Sequence, residues 1–405
     1  MDAKRKWKRW VSALLTVAML ISLAACGATA PKNETENFSE NSPAIEEQTE
    51  DTASNNAVAG EQADTVSVDV VWEKGYVENK GIPLYVDVER DLTAKPNANP
   101  DSWYVISNFE CDGKQLGFMW HQQIGPDGTG GWIQTIEFLQ MDADENVWNN
   151  NSFVEPVSET SGADSDKLRV YSSIGELSGD YTRMTLKLTV DDGALDVTLT
   201  PKKDILYNGT TGLLFFLGGI NSYEYAYPNM DIEGTFTLKG TEYSIQGATA
   251  WFDRQWGDEY DPNANSGTQA SSQMGAWLWL GMPLNAEKGS SISLWDSYSG
   301  DGRYAFATVL HEDGTQINVR ADVTYKRIWE SKNTGNKYPY DVHIVIPEEE
   351  LELTLSSVID EPEFYREGSP ITGCQSFCKV AGVYKGETID RYAILEMVGD
   401  LGNNI

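Results

Sequence analysis

One stretch of the chain gathers residue types suited to acid chemistry: Gly247-Ala248-Thr249-Ala250-Trp251-Phe252-Asp253-Arg254-Gln255-Trp256-Gly257. Side chains alternate between the faces of an extended strand, so Trp251, Asp253 and Gln255 share one face. Phe252, Arg254 and Trp256 share the other. An acid then stands beside an indole in a segment apolar enough to be buried. Burial away from compensating charge raises a carboxyl pKa and leaves a proton to give. A nearby aromatic face stabilises a developing cation. These parts suit protonation of an alkene, with the carbocation held for water and Asp253 as the acid. In the plainer alternative Asp253 caps a turn and the tryptophans are core. Pairing of Arg254 with Asp253 would lower that pKa and disable the acid.

Other chemistries find less in the sequence. No Gly-x-Ser-x-Gly elbow occurs, so a serine hydrolase of the α/β type is unsupported. The three histidines, His121, His311 and His343, are far apart and lack metal-ligand spacing. His343 lies in the alternating run Val342–Ile346 and reads as a strand residue. Asp142-Ala143-Asp144-Glu145-Asn146 begins like a calcium loop, but it lacks Gly at the sixth position and has Phe153 where the bidentate Glu belongs. It reads as a turn. No metal or cofactor is expected.

The elements that must position Asp253 are strands. Met184, Leu186, Leu188 and Val190 alternate with polar residues, and the chain reverses at Asp192-Gly193. It returns as Leu195, Val197 and Leu199, a hairpin with one apolar face. The same device recurs at Asp112-Gly113, Lys239-Gly240, Asp313-Gly314 and Lys385-Gly386. Each Gly is expected to supply the positive φ of a tight reversal. No amphipathic helix of four or more turns is visible. Short strands with such turns imply antiparallel sandwiches or barrels. Aromatics are abundant, 13 Trp and 19 Tyr, and some fall at period two, as in Tyr225/Tyr227 and Trp277/Trp279. On one face of a barrel strand they line a packed core or an apolar cavity.

The central stretch resembles the Gly-x-x-Trp-x-Asp-His-Glu-Trp-Gly signature of the AttH-like family, which includes the bacterial carotenoid hydratases (hydroxyneurosporene synthases). Ser222–Gly234 is similar to the family's aromatic segment, Ala276–Gly281 to the opening of its second barrel, and Tyr392–Gly399 to its closing Tyr-x-Glu-Leu-Thr-Gly strand. Ser102-Trp103-Tyr104 sits where the family often has Glu-Trp-Trp-Tyr. The resemblance covers roughly residues 70–402. It implies an all-β fold of two tandem lipocalin-like antiparallel β-barrels, at 67–260 and 261–405. It also implies Asp253 as proton donor. From the strand pattern, Trp251, Gln255, Trp256, Tyr225, Tyr227, Trp277 and Trp279 are expected around the bound molecule. The sequence departs from the signature at Arg254-Gln255, which replaces His-Glu.

The N-terminus carries an address. Lys4, Arg5, Lys6, Lys8 and Arg9 precede an apolar run from Val11 to Leu23, the layout of a secretory signal. Leu23-Ala24-Ala25-Cys26-Gly27 resembles the lipobox of bacterial lipoproteins. Residues 1–26 then form the signal, and acylation of Cys26, for example by palmitate, tethers the chain to the outer face of the membrane. Residues 27–66 are acidic with one aromatic, Phe38, and are expected to form a disordered, extended tether. Without the signal the net charge is about −36, which repels phosphate backbones and argues against nucleic acid as a partner. With Cys26 acylated, Cys111, Cys374 and Cys378 allow at most one internal disulfide. The sequence leaves oligomeric state open.

Three functions fit. The first is a surface-anchored lipocalin-like protein that binds a hydrophobic small molecule such as an isoprenoid, polyene or lipid. The second is a hydratase, isomerase or cyclase that protonates an alkene of a terpenoid or carotenoid through Asp253. The third is surface glycan binding, which requires a flat row of solvent-facing tryptophans.

Overall fold

Apolar residues at period two, separated by tight turns, produce strands almost throughout. The computed structural model describes residues 84–202, 204–216, 220–261, 275–299, 302–365 and 372–402. The signal segment, the acylation site Cys26 and the tether at 27–66 lie outside the described residues. Helical pieces among the described residues are single turns, such as Arg90–Leu92. The expected all-β class holds.

The first sheet contains β1 (Asp101–Cys111), β2 (Lys114–Pro126), β3 (Trp132–Asp142), β4 (Val147–Pro156), β5 (Gly162–Ala163), β6 (Leu168–Ser172) and β7 (Gly175–Asp180). It continues with β8 (Arg183–Val190), β9 (Gly193–Thr200), the short β10 (Leu206–Tyr207) and β11 (Leu213–Phe216), and the long β12 (Ile220–Leu238) and β13 (Thr241–Gly257). Its order is β4-β3-β2-β1-β13-β12-β9-β8-β7-β6-β5, with β10 and β11 also on β12.

The second sheet holds β14 (Trp277–Asn285), β15 (Ser290–Ser299), β16 (Gly302–Leu310), β17 (Gln316–Arg320) and β18 (Asp322–Glu330). It is completed by β19 (Lys337–Ile346), β20 (Leu351–Ser357), β21 (Glu363–Phe364), β22 (Gly373–Tyr384) and β23 (Glu387–Val398). Its order is β17-β16-β15-β14-β23-β22-β20-β19-β18, with β21 on β22. Each sheet is antiparallel and joins its first strand to its last, β1 to β13 and β14 to β23.

Both sheets curl into half-barrels, and side chains tie their distant strands together. Gln122 and Gln134, from β2 and β3, each donate to the Tyr171 carbonyl of β6 at 3.1 Å. In the second sheet Asp296 of β15 accepts from the Tyr325 hydroxyl of β18 at 2.7 Å. Arg303 of β16 donates to that carboxylate and to the Val323 carbonyl.

The turns behave largely as expected. Asp112-Gly113, Lys239-Gly240 and Lys385-Gly386 have positive φ at both residues, the geometry whose twist matches flanking strands. Gly193 is different. Its φ is not positive; it is needed for space, because a Cβ there would lie 2.3 Å from the Gln140 amide oxygen. The disulfide expected as possible is absent: Cys111, Cys374 and Cys378 are free thiols. Cys374 and Cys378 sit four residues apart on one strand, about 13 Å, too far for an S–S bond. Asp142 does nucleate a turn, accepting from the backbone N–H groups of Asp144 and Glu145.

Arg254 anchors the first half-barrel from within. It is fully buried on the face of β13 that also carries Phe252. Its guanidinium lies 4.3 Å from the Trp103 ring and pairs with Asp101 at 2.6 Å. It donates to the carbonyls of Asp91, Thr93, Ser102 and Gln255, drawing residues 91–93 onto the sheet. Removing one partner of a buried pair strands the other charge and these carbonyls. Arg254→Ala is therefore expected to lose about 3–5 kcal/mol of stability, measured by denaturant unfolding. Arg254→Lys should recover only part of this, because an ammonium cannot reproduce the planar fork.

Candidate functional site

The opposite face of β13 looks outward from the first half-barrel and meets the second sheet. Register places Tyr104 and Ala226 beside Asp253, and Ser102 and Glu224 beside Gln255. Across the interface, Trp279 and Gln375 both flank Glu396. The Tyr104 hydroxyl donates to Gln375 Oε1 at 3.2 Å. Trp251 meets Trp279 edge-on at 6.0 Å between ring centroids, and Tyr104 meets Trp279 at 5.5 Å. Gly281 makes this approach possible, since a Cβ there would fall within 2.7 Å of both indoles. Alternation in β14 works as the sequence suggests: Trp277 and Trp279 face the interface, while Leu278 and Leu280 enter the second core.

Three carboxyl groups converge here. Asp253 and Glu224 are buried, and Glu396 is half-buried. Their hydrogen bonding is unequal. Glu396 accepts from Trp277 Nε1 at 2.9 Å and from Gln375 Nε2 at 2.6 Å. Glu224 accepts from Asn208 Nδ2 at 2.8 Å and Gln255 Nε2 at 3.1 Å. Asp253 Oδ1 has no hydrogen-bond partner, and neither does Trp251 Nε1. The Trp251 N–H is close enough to favour the Asp253 anion weakly, without the alignment of a hydrogen bond.

This inequality sets the proton distribution. Burial, reinforced by the Glu396 charge, pushes Asp253 well above the ordinary carboxyl range. Burial together with Asp253 and Glu396 does the same to Glu224, offset slightly by Gln255. Burial also raises Glu396, but the Trp277 and Gln375 N–H groups favour its anion. Like charges in one dry site cannot all ionise. Asp253 and Glu224 therefore both hold protons, and the negative charge rests on Glu396. His121 donates to or accepts from Ser102 Oγ at 2.8 Å and packs against Tyr104. Burial lowers its pKa to about 4, so it is neutral at physiological pH.

The predicted site residues divide. Trp251, Asp253, Gln255, Trp277 and Trp279 come together at the interface. Tyr225, Tyr227 and Trp256 do not. They lie on the other face of β12 and β13 and pack in the first half-barrel, where Trp256 stacks on Tyr223 and flanks Arg254. The reason is strand periodicity: each occupies the parity of Arg254, opposite that of Asp253. The interior of the half-barrel is accordingly not the place where Asp253 presents its acid. Gln255 orients Glu224 and Ser222, not Asp253. Arg254 faces away and pairs with Asp101, so it leaves the acid intact.

Glu224, Glu396, Tyr104 and Gln375 escaped the sequence reading as site residues. A signal existed for two of them, because Glu224 lies within the aromatic run Tyr223–Tyr227 and Glu396 within the apolar run Ala393–Val398.

Raised carboxyl pKa values make stability depend on pH. Below about pH 4 the acids are protonated both folded and unfolded. Above it the unfolded chain ionises while the folded site keeps its protons, so stability falls as pH rises, by up to about 1.4 kcal/mol per unit for each retained proton. Asp253→Asn removes one such group. It should stabilise the protein at pH 8 relative to pH 4, read from denaturant midpoints across that range. A pH-independent difference between mutant and wild type would mean that Asp253 is ionised when folded. His121 acts in the opposite sense below about pH 6.5 and is common to both proteins.

Comparison with known proteins agrees with this architecture. The family model described as AttH-like matches residues 84–387. Among solved structures, an AttH protein from Nitrosomonas europaea superposes with a TM-score of 0.65 at 17% identity, over 78% of this chain and 99% of its own. Kievitone hydratase from Nectria haematococca also gives 0.65, at 19% identity, over 80% of this chain and 95% of its own. A comparison with curated proteins finds no significant sequence match.

Proposed function

The chain belongs to the AttH-like family, and on that premise we propose that it adds water to an alkene in a hydrophobic small molecule, with Asp253 as the proton donor. The observation that carries this reading is a buried carboxyl without a hydrogen-bond partner at Oδ1, raised by its surroundings and set against the indole of Trp251.

The steps follow from the proton distribution. Asp253 O–H protonates the less substituted alkene carbon, forming a C–H bond and leaving a carbocation. The ring faces of Trp251, Trp279 and Tyr104 offer negative potential to that cation. Water forms the C–O bond, and its proton passes to the Glu396 carboxylate. Exchange within the cluster returns the proton to Asp253, so the site ends as it began. Gln255 and Gln375 hold Glu224 and Glu396 without titrating. One solved structure with this fold is a hydratase, kievitone hydratase, so the scaffold is compatible with water addition.

A second reading keeps the site and omits the chemistry: capture of an isoprenoid, polyene or lipid-like molecule at the aromatic interface. The gathering of Trp251, Trp279 and Tyr104 favours it, because these rings offer apolar contact that requires no proton transfer. In both readings, acylation of Cys26 would keep the protein at the outer face of a membrane, where apolar molecules are available.

The deciding experiment incubates the protein with prenylated phenols and linear isoprenoids in ¹⁸O-labelled water. A hydratase incorporates the label into product, and Asp253→Asn slows this by about 100-fold or more, the scale of general acid catalysis. Equal rates in wild type and mutant would sink the proposal. Absence of labelled product, together with an apolar molecule recovered by solvent extraction of the purified protein, would favour capture.

A further inference from the structure

We propose that the second half-barrel carries a separate site for a small organic anion, a carboxylate with a short apolar body, anchored by Arg391. The site is the cleft where β14 and β23 part. These strands pair from Trp277↔Val398 to Leu280↔Leu395 and no further. Beyond that point β14 has a register break between Pro283 and Asn285, and Pro283 has no N–H to donate across the gap. The separation leaves a cleft of about 360 Å³ whose lining includes Leu284, Asn285, Tyr384, Thr388, Ile389 and Arg391.

Arg391 bridges the gap through one donor, Nη1 to the Pro283 carbonyl at 2.6 Å. Its Nε is buried and has no partner. Among the described residues, Arg90, Arg169, Arg254, Arg303, Arg320 and Arg327 each lie within ion-pair distance of a carboxylate. Arg391 has no such neighbour, although the chain carries 62 acidic residues against 30 basic; Arg183 also lacks one but is exposed to solvent. It is also half-buried, and burial alone lowers its pKa. A desolvated guanidinium without a counter-ion is costly, and the planar fork suits a carboxylate.

The acids at the rim do not fill that role. Glu387 is engaged by Lys288 and Asn285, and Glu287 is exposed. Leu284 and Ile389 offer apolar contact to the body of a ligand, and the volume lies at the lower end for small-molecule pockets, so the ligand is short. The site is distinct from the carboxyl cluster. Arg391 shares the β23 face of Ala393 and Leu395, which enter the second core, while Glu396 has the opposite parity and lies about 16 Å along the strand.

The test uses hexanoate and its neutral analogue hexanol, titrated calorimetrically into the purified protein at 0.15 M salt. Hexanoate should bind at one site, at least tenfold tighter than hexanol. Arg391→Gln should weaken hexanoate by tenfold or more, Arg391→Lys by less, and Arg183→Gln, at an exposed arginine, should change nothing. Circular dichroism establishes that the variants are folded, and the hexanoate-to-hexanol ratio in wild type stands even if Arg391→Gln is not. Equal binding of the two probes, no hexanoate binding, or full retention by a folded Arg391→Gln protein would overturn the proposal.

Discussion

Alternation along β13 is the constraint on which the rest of the structure depends. Five consecutive residues, Trp251 to Gln255, serve two environments that cannot be exchanged. Phe252 and Arg254 complete the inside of the first half-barrel, with Arg254 neutralised by Asp101 and capped by backbone carbonyls. Trp251, Asp253 and Gln255 form the outside, where a second sheet covers them. A one-residue slip would place the guanidinium against Glu224 and Glu396 and bury Asp253 against Trp103. Both environments would then lose their charge balance, so register is strongly specified.

The two sheets also share a plan that explains why acids meet at their junction. In each, the first strand pairs with the last, and the second-last strand follows. Asp253 and Glu396 both sit on the last strand, close before a glycine, at Gly257 and Gly399. Tyr104 and Trp279 oppose them on the first strand, and Glu224 and Gln375 stand on the second-last strand. Packing the outer faces of β1, β12 and β13 against β14, β22 and β23 therefore brings equivalent positions together. Neither sheet alone covers this cluster; each supplies the other's cover. A hydrophobic interface around retained protons is what raises these pKa values, and the resulting instability at neutral pH is the kind of cost that functional sites carry.

Much of this was legible in residues 240–260. Period two placed Asp253 with Trp251 and Gln255 and opposite Arg254, and the glycine turns fixed most hairpins. Local pattern could not show which face was the inside of a half-barrel, because both faces of β13 are apolar enough to be buried. That ambiguity drew Tyr225, Tyr227 and Trp256 to the site, although they share the parity of Arg254. Glu224 and Glu396 were within reach, since an acid in Tyr223-Glu224-Tyr225 or Leu395-Glu396-Met397 needs a buried partner. Their meeting required knowing that two sheets pack back to back, a contact between positions more than 140 residues apart. Cys374 and Cys378 show the converse: positions near in sequence are held by one extended strand too far apart for a bond.

The departure at Arg254-Gln255 acquires a physical sense in this setting. The signature the sequence resembles has His-Glu at these positions. A glutamate at 255 would add a fourth acid beside Glu224 and could not donate to it. Gln255 donates from Nε2 to both Ser222 and Glu224, holding one acid in place without competing for its proton. On the other face, a guanidinium at 254 provides the several donors that Asp101 and the carbonyls of residues 91, 93, 102 and 255 require, more than an imidazole can supply. The pair thus moves titrating groups away from Asp253 on both faces. What remains is a cluster of carboxyl groups whose hydrogen-bond donors are amides and an indole, with no titrating side chain contributed by the immediate chain neighbours of Asp253.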